Sequence, residues 1–333
     1  MTYSNEEILA RLDGAFKSIT VESLGDSVLA PEKFNQFIKA MQHRTTILPE
    51  ARFISMQSQI TEIDRVGFVG RILTAGNKVV EAVESQHVLS EEEFAKPQFA
   101  TNKLVAKEMQ AVTGIRDKAL RRNIEQGGFE NTLVTLFGEA AGRDLEEWAI
   151  FADTDIAYAT DSILWLTDGW VKKAKNKVYG KGTGAQIDPS ADDYPEQVLD
   201  ALLKALPKQF LVNRSEWRFY VPYEIEDGYR DILKSRGTAI GDRAQTEGGG
   251  LYYKGIPVVY TPMLERSSDR VAMLQHPDNM AWGVFHEVTI EKEREAKARR
   301  TDFVLTIEAD AHYEDENGAV VALIDQTQPE GDD

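Results

Sequence analysis

Backbone N–H groups in a glycine-rich loop can cradle a phosphate, so the glycine runs are the first candidates for chemistry. Three glycines stand together in "EGGGLYYKGIPVVYTPML", residues 247–264, as Gly248, Gly249 and Gly250. A phosphate loop lies between a strand and the N-terminus of a helix. Here the glycines lead into "LYYKGIPVVY", which is strand-like, and Lys254 is followed by Gly255 instead of the Lys-Ser/Thr that opens a phosphate-binding helix. "YGKGTGAQ", around Gly180–Gly184, has no apolar helix directly after it. Neither run is read as a nucleotide site. The histidines are His43, His87, His276, His286 and His312, and none has the two-histidine spacing of a zinc helix. His276-Pro277-Asp278 reads as a turn and His286-Glu287 as part of a strand, so solvated or structural roles are expected. There is no Gly-x-Ser-x-Gly elbow, and the many carboxylates offer no privileged acid–base pair. One basic cluster, Lys172, Lys173, Lys175, Lys177 and Lys181, could contact nucleic acid or an acidic neighbour; its plainer reading is a solvated loop. No catalytic, cofactor or metal site is expected.

Composition narrows the function further. The chain has 333 residues, room for two domains or one elaborate one, and 42% hydrophobic residues suffice for a sizeable core. Lysine plus arginine number 38 against 55 acidic residues, so the net charge is 38 − 55 = −17. Such a surface repels nucleic acid at long range and argues against sequence-specific DNA binding. The absence of cysteine removes disulfides, cysteine–zinc sites and thiol catalysis together. The N-terminal stretch carries Glu6, Glu7 and Asp13 among its apolar residues, unlike a signal peptide. No window approaches the roughly 20 apolar residues of a membrane helix.

The elements that would position any site follow from periodicity. Residues 5–20 and 31–42 carry short amphipathic helical stripes, with Pro31 suited to a first turn. Residues 52–63 read as strand. Two apolar runs, 68–73 and 78–83, flank a turn signal at Gly76-Asn77; with the strand-like 99–109 they form a long, exposed two-stranded arm, which needs a partner surface because an isolated hairpin is marginal in water. Residues 129–152 form the clearest helix, with Leu133, Leu136, Phe137 and Trp148 expected in its core-facing stripe. An α/β stretch follows: a helix after Pro195, a strand at "WRFYV", and a helix in "PYEIEDGYRDILKSRG". Strands at 282–291, 303–309 and 319–324 close the chain, the last two joined by a hairpin turn at Glu316-Asn317-Gly318. "EKEREAKARR", 291–300, reads as a solvated strand edge or turn. The closing strands are expected to pack with those preceding the long helix, which makes 154–281 an insertion.

This order resembles the major capsid protein family of tailed phages, the Hong Kong 97-type fold. "NIEQGGFENTLVTLFGEAAGRDLEEWAIFAD" looks like the family's spine helix, "RFYVPYEIEDGYRDIL" and "YYKGIPVVYTPML" look like axial-domain elements, and "LQHPDNMAWGVFHEVTIEKE" resembles the return to the peripheral domain. The resemblance spans roughly residues 50–325. It implies an α+β fold with an N-terminal arm (1–50), a peripheral domain (51–153 and 282–325), a hairpin arm (67–110), a spine helix (129–152), an axial domain (154–281) and an acidic tail (326–333). It implies a structural protein, not an enzyme, that assembles in the host cytoplasm into hexamers and pentamers of an icosahedral virion shell around double-stranded DNA, without sequence-specific binding. The implied partners are other copies of the chain, a portal, decoration proteins, and a separate scaffolding protein or none. Phe68, Ile72, Gly76, Asn77, Val79 and Val80 would lie at the arm's subunit interface, and Gly248–Gly250 in an axial-domain loop. No lysine–asparagine crosslinking pair is identified. An encapsulin-type nanocompartment shell, which shares the fold, is the alternative; an unrelated α/β enzyme is a third reading.

Overall fold

The structure is a computed structural model, and it describes residues 45–68, 73, 77–80, 83–86, 97–116, 129–182, 185–235, 250–266, 269–285, 289–295 and 297–329. The amphipathic stripes at 5–20 and 31–42, Ile72, Gly76, Gly248, Gly249, His43, His87, His286 and the last four residues lie outside the described residues.

One layer is a sheet of β1 (Arg52–Met56), β6 (Lys107–Arg116), β12 (Met280–Phe285), β13 (Thr289–Glu295) and β14 (Arg300–Tyr313). β1 runs parallel to β12, and β14 is antiparallel to β12, β13 and β6. Residues 300–306 of β14 pair with β13 and with β6, so these two strands flank it on opposite sides. Strand periodicity sorts its side chains: Thr301, Phe303, Leu305 and Ile307 are buried, whereas Asp302, Val304, Thr306 and Glu308 are half-buried. Against the buried face lies helix α1 (Phe129–Phe151), whose Leu145, Trp148, Ala149 and Ile150 share a core with Met109, Phe303, Leu305 and Ile307. The helix ends where Gly169 closes on it, donating its N–H to Ala152 O at 2.7 Å. A Cβ on Gly169 would sit 2.7 Å from Ile150 O, so only glycine fits there.

A second, six-stranded sheet has the order β7 (Asn176–Lys181), β15 (Val320–Thr327), β11 (Val271–Gln275), β8 (Arg218–Val221), β10 (Ile256–Tyr260), β9 (Leu251–Tyr253). Between β7 and β8 comes helix α3 (Tyr194–Ala205); helix α2 (Trp170–Lys173) precedes β7, and α4 (Tyr223–Ser235) follows β8. The central strands are covered on both faces. Ala272, Leu274, Val320 and Ala322 pack with Val198 and Leu202 of α3 and Ile225 and Tyr229 of α4. The alternate residues Val271, Met273, Val321 and Leu323 join the core beneath α1. Residues 154–281 are therefore not a self-contained insertion, since their sheet shares a core with the first layer.

This corrects the placement of the last strand. Sequence reasoning grouped 282–325 with the first layer, but β15 pairs with β7 and β11 in the second sheet. "VVALI" is apolar at every position, as a strand buried on both faces requires. Glu316-Asn317-Gly318 accordingly closes no hairpin; it carries the chain from one sheet to the other. The tip of the β9–β10 hairpin is Lys254-Gly255, with φ of 48° and 89°. Both values are positive, matching the mirror-image turns that suit a two-residue hairpin. Gly255, inside the stretch that reads as strand-like, turns the chain instead.

Candidate assembly surfaces

A separate two-stranded ladder is attached to this body. β2 (Ile60–Phe68) and β5 (Pro97–Val105) pair antiparallel from Ile60↔Val105 to Phe68↔Pro97, apart from both larger sheets. At about 3.3 Å per residue it spans roughly 30 Å. Beyond it, β3 (Asn77–Val80) pairs with β4 (Val83–Gln86), Val80 facing Val83. The chain therefore reverses between Val80 and Val83, not at Gly76-Asn77: Asn77 opens a strand, because β-branched Val79 and Val80 favour extended backbone. The described burial of the arm is at its root. Met56, Ile63, Leu104, Ala106 and Ala281 form a small core there. Asn102 Nδ2 donates to the carbonyls of Tyr313 and Glu314 at 2.8 and 3.2 Å. Ile60, at the same root, is 55% exposed.

The body carries exposed apolar groups as well: Val112 on β6, Leu136 on α1, and Tyr158 and Trp165 in the loop after α1, whose rings meet edge to face at 5.5 Å. Leu136 is a correction. It was expected in the buried stripe and is 56% exposed. Nine residues at 100° each place it opposite buried Leu145, so the face that reads as one stripe along the whole helix is rotated away from the core at this end. Trp148 is fully buried and Phe137 half-buried against the same core; Leu133 falls within α1. Ala141, Leu145, Met109, Ala111, Leu305 and Ile163 line a shallow apolar groove between α1 and β6.

The basic run is largely taken up internally. Lys172 Nζ lies 2.5 Å from Asp153 and 2.9 Å from both Asp155 and Asp168. Burial works against its charge, yet these carboxylates hold the ammonium above the ordinary lysine range. Lys173 is 3.7 Å from buried Asp310, Lys175 is 3.8 Å from Glu316, and Lys181 is 3.7 Å from Asp325. Burial pushes the Lys173 ammonium down, with Asp310 opposing the shift. These pairs tie Lys172, Lys173, Lys175 and Lys181 to the end of α1, to β14, to β15 and to the turn between them, which weakens the run as a nucleic-acid patch.

Residues 45–51 clip the two layers together. Glu146 of α1, 1% exposed, accepts the N–H of Thr46 and of Ile47 at 3.0 Å. Burial raises its pKa even though these N–H groups favour the carboxylate. Four residues on, Glu50 accepts from the Tyr220 hydroxyl of β8 at 2.5 Å. Nothing in the sequence flagged this clip, because its partners lie about 100 and 170 residues away.

No family model matches the sequence. Over 329 residues the chain is 29% identical to a protein named as a prophage capsid protein, YqbE of Bacillus subtilis (strain 168), covering 96% of this chain and 98% of that one. A chain of the satellite phage P4 procapsid with its size determination (Sid) protein superposes with a TM-score of 0.63 at 13% identity, covering 98% of this chain and 99% of that one. Similarity to a prophage capsid protein over nearly the whole of both chains, together with the fold of phage capsid chains, supports a tailed-phage major capsid protein. A chain of Mycobacterium phage Che8 has the same fold, with a TM-score of 0.54 at 13% identity over 84% of this chain and 91% of that one. So does the SrpI encapsulin of Synechococcus elongatus PCC 7942, at 0.51 and 9% identity over 85% and 91%.

For brevity, α1 is termed the spine helix, the β2–β5 ladder the arm, and the second sheet with α3 and α4 the axial unit. Phe68, Asn77, Val79 and Val80 fall in arm strands β2 and β3. Gly250 is exposed and directly precedes β9, at the start of an axial hairpin. Among the described residues no group of three His, Asp or Glu is arranged to hold a metal ion.

Proposed function

We propose that this major capsid protein builds an icosahedral shell of hexamers and pentamers around the double-stranded DNA of a tailed phage, with each arm lying on a neighbouring copy. The observation that carries this reading is the β2–β5 ladder, because a lone pair of strands is marginal in water. A neighbouring copy supplies the surface that it lacks. A structural, non-enzymatic role and residence in the virion follow from the same reading. A wall of net charge −17, with its main lysine run paired internally, avoids trapping the packaged polyanion. A portal, decoration proteins and, if one is used, a separate scaffolding protein would complete the assembly. The test is electron microscopy of the purified chain, with salt raised from about 0.05 to 0.5 M to screen subunit repulsion. Closed shells favoured by salt support the reading; a monomer at every salt concentration overturns it. Particles purified from cells separate the phage shell from an encapsulin: the first contains nucleic acid, the second an enzyme cargo.

A further inference from the structure

Two adjacent lysines of α2 point to different parts of the molecule. Lys172 is held by Asp153, Asp155 and Asp168 at the end of the spine helix. Lys173 reaches β14, where its Nζ donates to Ala311 O at 2.6 Å and lies 3.7 Å from Asp310. Asp310 is 3% exposed and its carboxylate is crowded with partners. It accepts the N–H of Val105 at 2.7 Å, the N–H of Ala311 at 2.8 Å and the Thr167 hydroxyl at 3.4 Å. Val105 is the last residue of β5, at the root of the arm. One buried carboxylate thus touches the arm, the sheet that carries it, and the segment that returns from the spine helix.

We propose that Asp310 is the positioning residue for the arm, and that the Lys172-Lys173 pair couples the arm's direction to the end of the spine helix. The arm is a lever with a short root. The Val105 N–H is the backbone donor at its base that a side chain of the body holds, so the Asp310 carboxylate sets where the ladder begins its path. Asp310 is in turn held by Lys173, whose neighbour grips the helix end. A buried charge is kept in place by the partners that compensate it, and losing one partner reorganises the rest. A swing of about 10° at Val105 displaces Gln98 by about 4 Å, since seven strand residues span about 23 Å. The inference rests on the arm being the assembly element proposed above.

The test uses unassembled subunits, so it is read whether or not shells form. The chain has no cysteine, so the pair Gln98→Cys and Arg143→Cys can carry two spin labels without background. The distance between them reports the arm against the spine helix. Asp310→Asn and Lys173→Met are each expected to shift or broaden the distribution by about 4 Å, with Lys173→Arg close to the parent. Lys172→Met is expected to move it in the same sense. Ile225→Val, in the axial core, lowers the melting temperature without touching this network and should leave the distance unchanged; a matching shift there would mean that general destabilisation is the cause, and would overturn the proposal. An unchanged distribution in both Asp310→Asn and Lys173→Met overturns it as well. If Asp310→Asn fails to fold, Lys173→Met alone decides the role of the node. An unchanged distance in Lys172→Met overturns the coupling to the helix.

Discussion

The axial sheet and the arm are both β-structure, and they are stabilised in different ways. In the axial sheet every residue of β11 is buried, one alternate set of side chains under α3 and α4 and the other under the spine helix. In the arm, the small root core of Met56, Ile63, Leu104, Ala106 and Ala281 anchors a two-stranded ladder whose pairing continues to Phe68 and Pro97. Both are held by backbone ladders, although among the described residues each strand of the two-stranded one has an unpaired outer edge. The difference is apolar burial, the dominant favourable term in folding and in most association. The axial sheet completes that burial within one chain; under the proposed function, the arm gains it on a neighbouring copy. A shell subunit needs both: a body that folds before its neighbours arrive, and a surface that gains its stability from them.

Disrupting each region in turn should give opposite outcomes. Ala322→Asp puts an unpaired charge between two covered faces and should destabilise the subunit by several kcal/mol, measured by thermal or urea unfolding. A normally melting variant would show that the axial sheet is not the stabilising element. Deleting residues 72–92 should do the reverse: size-exclusion chromatography gives a folded subunit, and electron microscopy finds no shells. Intact shells from that deletion would remove the arm from assembly.

Acid should weaken the body. Arg270 holds the Asp325 carboxyl well below the usual range, and Lys204 with Lys254 holds Asp200 at about 2. A carboxylate with a depressed folded pKa contributes stability above its unfolded value of about 3.9, and that contribution is lost as pH falls through the folded value. Stability of the unassembled subunit should therefore fall between about pH 4 and pH 2, and Asp325→Asn should flatten that part of the profile. An identical profile in the variant would rule out the Arg270 pair as its source. The smallest effects belong to exposed positions. Leu136→Asp, on the outer face of α1, and Glu62→Gln, which removes the exposed Glu62–Lys103 pair of the arm, should each change subunit stability by no more than about 0.5 kcal/mol. A loss of several kcal/mol in Leu136→Asp would place that side chain against the core after all.

What the sequence revealed and what it hid divide along the same line. The helices at 129–151, 194–205 and 223–235 were legible because an amphipathic stripe is a local signal, and Ile225, Tyr229 and Leu233 are buried as their spacing implies. Periodicity does not say how far a helix stays against its sheet, which is why Leu136 was misplaced. The sheet to which "VVALI" belongs depends on pairing with Val271–Leu274, about fifty residues away. The lysine run looked like an open patch because its acidic partners, Asp310, Glu316 and Asp325, come more than a hundred residues later. Asp310 itself is one of many acidic residues, and nothing local marks it as buried.

The position of β15 also has a consequence for the order of synthesis. A polypeptide leaves the ribosome from its N-terminus, so the arm strands and the spine helix emerge long before residue 320. β15 lies between β7 and β11, and neither of those pairings exists until it has been made. A nascent chain can therefore carry the β2–β5 ladder and α1 while the second sheet still lacks one of its central strands. The last part of the chain to be made is thus the part that joins β7 to β11.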